Sequence, residues 1–168
     1  MRVFLAPGAS GGVASLKPYL DGLSARGIEA RSVMLPGGNA ERAIPVYLGQ
    51  SGTGRAVVVG GRSYGGRVAS LATADPANEF AGLLLFAYPL HRPGFPDQLR
   101  TEHWPRIRCP VLIVQGEADP FGSPAELRRE ARKLSRVELV TLPGEGHVLK
   151  GRIDDAIEAA AGWLAGLG

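Results

Sequence analysis

Apolar residues along this chain gather in short runs, and between the runs they recur at every third or fourth position. Six runs read as strands: "RVFLA" (2–6), "IEARSVML" (28–35), "AVVVG" (56–60), "GLLLFAY" (82–88), "CPVLIVQG" (109–116) and "RVELVTL" (136–142). The run at 82–88 is apolar on both faces, as a central strand of a parallel sheet must be, whereas 28–35 alternates and belongs toward an edge. The intervening stretches carry helical spacing and stop signals. Residues 15–26 place Leu16, Leu20 and Leu23 on one side, with Ser15 as a possible N-cap, Pro18 in the first turn and Gly27 as a stop. Residues 39–50 predict a short helix whose start is obscured by Pro45. Val68, Ala69, Leu71 and Ala72 form the inner face of another helix. "SPAELRREARKL" combines Ser123 as N-cap, Pro124 at the first helical position and Glu126 closing a capping box. Ile153, Ile157, Ala160, Leu164 and Leu167 stripe a last helix over 153–167. Strands alternating with helices predict an α/β protein: a three-layer α/β/α sandwich around a mainly parallel six-stranded sheet, forming one domain over 1–168.

One segment escapes both patterns. Residues 89–107, "PLHRPGFPDQLRTEHWPRI", hold four prolines and read as a long functional or lid-like loop, with His103 and Trp104 covering the sheet edge. Composition narrows the function classes. A single cysteine, Cys109, rules out an internal disulfide and reads as an inert core thiol. The apolar part of "MRVFLAPGAS" is too short for a signal peptide, and no run approaches membrane-spanning length, so a cytoplasmic protein without a membrane partner is expected. The net charge of +3 arises from basic residues interleaved with acidic ones, which argues against a nucleic-acid surface.

The chemistry concentrates in "VVVGGRSYGGRVAS" (57–70), where Gly60, Gly61, Gly65 and Gly66 crowd around Ser63. Glycine weakens strands and helices alike, so the cluster needs a geometric cause. A sharp strand-to-helix turn supplies it: Ser63 at the apex of G-x-S-x-G, with chains passing too closely for larger side chains. In open parallel sheets functional groups collect beyond the carboxyl ends of the strands. Glu117 and Asp119 follow the fifth strand in "QGEADPFG", and His147 follows the sixth in "LPGEGH". A serine hydroxyl needs a base, assigned to His147, and the resulting imidazolium needs a fixed carboxylate. Asp119 is preferred for that task over Glu117, which lies within the same reach and reads as a solvated or turn-stabilising charge. An oxyanion would be met by the Tyr64 N–H at the helix start and by the N–H of Ala9 or Ser10 in "APGASGG". That glycine-rich loop lacks the spacing of a phosphate cradle. His91 faces the same edge as a possible substrate-lining residue or a structural loop histidine. Arg62 is read as paired with an acid such as Glu117, or else as an attractor of anionic substrate. No metal or cofactor is expected.

"GGRSYGGRVAS", "YPLHRPG", "VLIVQGEADPFG" and "LPGEGH" together span nearly the whole chain. On these motifs it resembles the α/β-hydrolase superfamily, and within it a small cap-less branch of predicted hydrolases. That branch includes testis-expressed protein 30 and the hydrolase-like domain of a subunit of the NSL acetyltransferase complex. The resemblance implies a minimal α/β-hydrolase fold and the triad Ser63, Asp119 and His147. It implies no substrate. The family's usual His-Gly pair in the oxyanion loop reads Pro7-Gly8 here, and the chain starts at what the family would count as its third strand, a trimmed form of the fold. The expected function is a serine hydrolase acting on ester, thioester or related small acyl substrates through an acyl-enzyme. The alternative is a non-catalytic hydrolase-fold binding module that retains the triad. Oligomeric state, and the choice between ester, thioester and peptide, have no sequence signal.

Overall fold

The computed structural model describes residues 1–168. Six strands pair in parallel throughout: β1 (Arg2–Ala6), β2 (Ala30–Ser32), β3 (Gly54–Arg62), β4 (Phe80–Phe86), β5 (Val111–Gly116) and β6 (Val137–Leu142), in the order β2-β1-β3-β4-β5-β6. Five α-helices connect them: α1 (Lys17–Ser24), α2 (Ala40–Ser51), α3 (Tyr64–Thr73), α4 (Pro124–Ala131) and α5 (Ile153–Ala165). Short 3-10 turns occupy Val13–Leu16, Trp104–Arg106 and Lys150–Arg152.

The alternation along each strand divides the core into two. Phe4, Val57, Val59, Leu83, Leu85 and Ile113 face α2, α3 and α4. Val3, Leu5, Val58, Leu84, Phe86 and Leu112 face α1 and α5, which contribute Tyr19, Leu23, Ile157 and Trp163. Successive side chains on a strand point to opposite faces, so strands apolar throughout must be covered on both. The three-layer sandwich follows.

From β1 the chain runs outward to β2, then crosses back to place β3 on the other side of β1. The connections leaving β1 and β3 therefore diverge and open a crevice beyond their carboxyl ends. A buried tyrosine ties these two strands together beneath it. The Tyr47 hydroxyl lies 2.7 Å from both the Phe4 and Gly60 carbonyl oxygens and accepts from the Gly60 N–H at 2.8 Å. Burial pushes this phenol well above its ordinary pKa, which keeps it a neutral donor.

Element ends differ from expectation where local chemistry competes. Ser15 does not cap a helix: its hydroxyl donates back to the Gly12 carbonyl, and the regular helix begins only around Pro18, which suits a first-turn position. Asn39 settles the start that Pro45 obscured, its side chain accepting from the Arg42 N–H while Pro45 lies inside α2. The edge strand β2 keeps three residues of the eight read from 28–35, because it pairs on one side only. The capping box at Ser123 and Glu126 forms as read.

Residues 89–107 are not a free lid. Only the tip, 92–98, is exposed throughout, and the flanks are pinned into the core. The Tyr88 hydroxyl donates to the Arg100 carbonyl at 2.7 Å, the Thr101 hydroxyl donates to Glu130 at 2.5 Å, and Lys133 donates to Thr101 at 2.9 Å. Trp104 is buried against Tyr88, with ring centroids 5.0 Å apart, inside the core on the α3 side rather than over a sheet edge. His103, also buried, shares a 2.7 Å hydrogen bond with Ser70 of α3.

Burial, with Arg106 and Arg67 adding and Glu41 opposing, pulls His103 down to about 4. The unfolded chain takes up this proton near the ordinary histidine pKa and the folded chain does so only near 4. Stability is therefore complete above about pH 6.5 and declines as pH falls toward 4, by a total on the order of 3 kcal/mol. Urea unfolding followed between about pH 7.5 and pH 5 should show about 2 kcal/mol of that loss, and His103→Gln should flatten it.

Candidate active site

The turn at Ser63 takes one residue. β3 ends at Arg62, α3 starts at Tyr64, and Ser63 between them adopts φ 46°, ψ −116°. A non-glycine residue held there is strained by about 1–3 kcal/mol. Two bonds keep it: the Ser63 N–H donates to the Phe86 carbonyl at 3.0 Å, and the Arg67 N–H donates to the Ser63 carbonyl at 3.0 Å. The glycines around it answer to crowding. A methyl group on Gly61 would come within 2.8 Å of the Gly65 carbonyl carbon, and one on Gly65 within 2.5 Å of the Ala6 carbonyl carbon and 2.6 Å of the Pro7 oxygen. Helix α3 thus seats directly on the end of β1. Gly65→Ala must push that seat apart, and a loss of about 1–3 kcal/mol or more is expected in urea unfolding, with turnover lost alongside.

Strain marks this edge of the sheet. The three non-glycine residues with positive φ are Ser63, Ala87 and Leu149, which follow β3, β4 and β6. Gly116 at the end of β5 lets the histidine-bearing loop pass against the carboxylate-bearing one, since a methyl group there would lie 2.5 Å from the Gly146 oxygen. The Ala118 N–H donates to the Glu145 carbonyl at 2.9 Å and fastens the two loops.

The three loops bring their side chains into one hydrogen-bonded line. His147 Nε2 lies 2.8 Å from Ser63 Oγ, and His147 Nδ1 lies 2.7 Å from Asp119 Oδ2. The Asp119 side chain is fully shielded from solvent. Its Oδ1 accepts from the Phe121 N–H at 2.8 Å and its Oδ2 from Gln115 Nε2 at 3.1 Å. Phe121 then stacks on the imidazole, with ring centroids 4.0 Å apart. An acceptor-only carboxylate requires the proton of His147 on Nδ1, which leaves Nε2 free to take one from Ser63.

Glu117 is not part of this line. It is exposed and accepts from the Thr141 hydroxyl at 2.9 Å. Arg62 forms no ion pair with Glu117 or any other acid; it lines the cleft above Ser63 instead. His91 does not line that cleft. Only 5% exposed, it faces α4, with Nε2 3.0 Å from Glu126 and Nδ1 2.8 Å from the Arg92 carbonyl. The Ser123 N–H, joined by the Ser123 hydroxyl and His91, holds the Glu126 carboxyl below its usual range.

The cleft has a volume of about 320 Å³, and Gly8, Ala9, Ser10 and Tyr64 form the wall beside Ser63. The backbone N–H groups of Ala9, Ser10 and Tyr64 donate to no backbone or side-chain acceptor. Gly8 lies beside the nucleophile: a methyl group on it would sit in ordinary van der Waals contact with Ser63 Cβ, at 3.5 Å. Sequence reading missed Gln115, a polar residue in an otherwise apolar strand and thus a visible signal, and also Phe121, Arg67 and Arg100. A larger cleft, about 610 Å³, lies at the opposite end of the sheet beside Cys109, whose thiol burial pushes up to about 11. It contains neither serine nor histidine. No group of three or more His, Cys, Asp or Glu side chains is arranged to hold a metal ion, and no helix is long and apolar enough to cross a membrane.

An all-parallel doubly wound sheet with helices on both faces and a strained serine turn after β3 is the α/β-hydrolase fold. Residues 40–163 match the alpha/beta hydrolase domain family, and the chain belongs to it. Among solved structures, the monoacylglycerol lipase of Paleococcus ferrophilus superposes with a TM-score of 0.80 at 16% identity, covering 99% of this chain and 94% of that one. Est1E from Butyrivibrio proteoclasticus gives 0.79 at 14% identity over 98% and 87% of the two chains. A structure from work on the metagenome-derived lipolytic enzymes LipS and LipT gives 0.80 at 16% identity over 97% and 92%. At these identities the likeness is one of fold.

Proposed function

We propose that the protein is a serine hydrolase that cleaves esters, thioesters or related small acyl substrates through an acyl-enzyme. The observation that carries this reading is the continuous line from Asp119 through His147 to Ser63, with hydrogen bonds of 2.7 and 2.8 Å. Ser63 Oγ attacks the acyl carbon as its proton passes to His147 Nε2, and Asp119 holds the imidazolium through Nδ1–H. The carbonyl oxygen becomes an oxyanion received by the Tyr64 N–H and by that of Ala9 or Ser10. Collapse of the tetrahedral intermediate expels the alkoxide or thiolate, which takes the proton back from His147. Water, deprotonated by the same nitrogen, then attacks the acyl-enzyme; the second collapse releases the carboxylic acid and returns the proton to Ser63.

The Pro7-Gly8 pair in place of the family's His-Gly removes both an imidazole and the residue-7 N–H from the oxyanion loop, but leaves the N–H groups of Ala9 and Ser10. A cleft near the lower end of the usual range for small-molecule sites suits short acyl groups. The motif resemblance to the cap-less branch and the single, unpaired, half-buried Cys109 fit a cytoplasmic enzyme. Treatment with a fluorophosphonate probe and peptide mass spectrometry tests the reading. Covalent modification of Ser63, weakened in His147→Ala, is the expected result; a folded protein that takes no label would instead be a non-catalytic binding module.

A further inference from the structure

The cleft over Ser63 holds three cations and no anion. Arg62 enters it from the end of β3, Arg67 from the first turns of α3, and Arg100 from the segment after β4. No aspartate or glutamate is among the lining residues. The ion pairs of the molecule involve other basic residues: Lys17, Arg26, Arg31, Arg55, Arg129, Lys133 and Arg152, besides the two histidine pairs. The Nε atoms of Arg62 and Arg67 are buried without a hydrogen-bond partner.

Nearby carboxylates do not fill the gap. Arg67 and Arg100 also border a second cleft, of about 370 Å³, shared with Glu41 and Glu102, yet neither acid forms an ion pair with them. Glu145 and Arg62 both act on the Tyr19 phenol, but the Glu145 carboxylate accepts from the Gly151 N–H instead. Asp119 is shielded behind His147 and committed to three donors. Arg100 is destabilised in its charged form, first by burial and then by Arg67, with Arg92 adding. Guanidinium groups gathered without counter-charge in a partly desolvated cleft repel one another, and a bound anion relieves both the repulsion and the missing hydrogen bonds.

We propose that the substrate of this site carries an anionic group, a carboxylate or phosphate, that docks on Arg67 and Arg100 while its acyl carbon lies at Ser63. Arg62 adds to the attracting field from beside the serine. The proposal rests on the hydrolase reading above and gives that site its substrate class: acyl compounds with a second, charged end. A 320 Å³ cleft places the two ends only a few bonds apart.

Two matched substrate pairs test it, one for each side of the scissile bond. On the acyl side, p-nitrophenyl hydrogen glutarate is compared with p-nitrophenyl methyl glutarate; on the leaving-group side, 4-acetoxybenzoate is compared with its methyl ester. In at least one pair the anion should be preferred in kcat/KM by on the order of 10- to 100-fold, mainly through KM. About 0.5 M NaCl should shrink the preference. The preference should fall toward unity in the Arg67→Gln/Arg100→Gln double variant and survive in part in Arg67→Lys and Arg100→Lys, with thermal unfolding used to check that each variant is folded. Glutarate and inorganic phosphate, tried as competitive inhibitors, identify the preferred anion by whichever is stronger, and inhibition by neither counts against the proposal. Equal turnover of both members in both pairs, by protein whose Ser63 reacts with fluorophosphonate, overturns the charge preference alone. Failure of Ser63 to react overturns the hydrolase reading beneath it.

Discussion

Ser63→Ala is expected to lose fluorophosphonate labelling and to lower kcat for p-nitrophenyl esters by about 10⁴- to 10⁶-fold, since members of such a unit fail together when the nucleophile is removed. The variant should remain folded. The Ser63 side chain makes one hydrogen bond, to His147, and alanine accepts the same strained backbone at φ 46° no worse than serine does. Urea midpoints of the two proteins should therefore agree to within about 0.5 kcal/mol of stability. A residual rate near that of the parent would mean that hydrolysis occurs elsewhere, and the reading would fail.

Asp119→Asn should lower kcat by about 10⁴-fold, through the proton on the imidazole rather than through loss of the fold. The carboxylate presents acceptors to three donors: the Phe121 N–H, Gln115 Nε2 and His147 Nδ1. An asparagine has one oxygen to offer. With that oxygen on Phe121, its NH₂ group faces both Gln115 and the imidazole, driving the histidine proton onto Nε2, where it points at Ser63 and blocks proton uptake. Gln115 Nε2 loses one of its three acceptors and keeps the Tyr88 and Gly122 carbonyls, so the added stability loss should be about 1 kcal/mol. Glu117→Gln is the internal comparison. It alters an exposed side chain bonded to Thr141, so its rate should stay within a few-fold of the parent's. The reverse ranking of the two variants would transfer the carboxylate role to Glu117.

What could be read from the sequence was what depends on near neighbours along the chain. The strands and the serine turn were visible because alternation, β-branching and the spacing of Gly61 and Gly65 around Ser63 are local signals. The Ser123 capping box is local too. Asp119 and Glu117 stand two residues apart, and spacing alone left both within reach. Their roles separate only when Gln115 and the Phe121 N–H close on one carboxylate while Thr141, on the neighbouring strand, occupies the other. His91 was open to a substrate-lining reading because its partner, Glu126, lies 35 positions away on another element. The prolines of 89–107 announced a segment without strand or α-helix, interrupted only by the 3-10 turn at Trp104–Arg106. They could not announce that Thr101 and His103 would be anchored by Glu130, Lys133 and Ser70, contacts that depend on the folded arrangement of α3 and α4. Arg67 and Arg100 carried no signal in a chain rich in arginine.

Those anchors bear on the kinetics expected of the proposed hydrolase as well as on its architecture. With the flanks of 89–107 fastened and only its tip exposed, the cleft at Ser63 is already open, and on the hydrolase reading no gate need swing before substrate enters. Progress curves should start at their full slope without a lag. The rate should follow dissolved monomer smoothly as a lipid-like ester passes its micelle threshold, without the sudden rise of enzymes that awaken at an oil–water boundary.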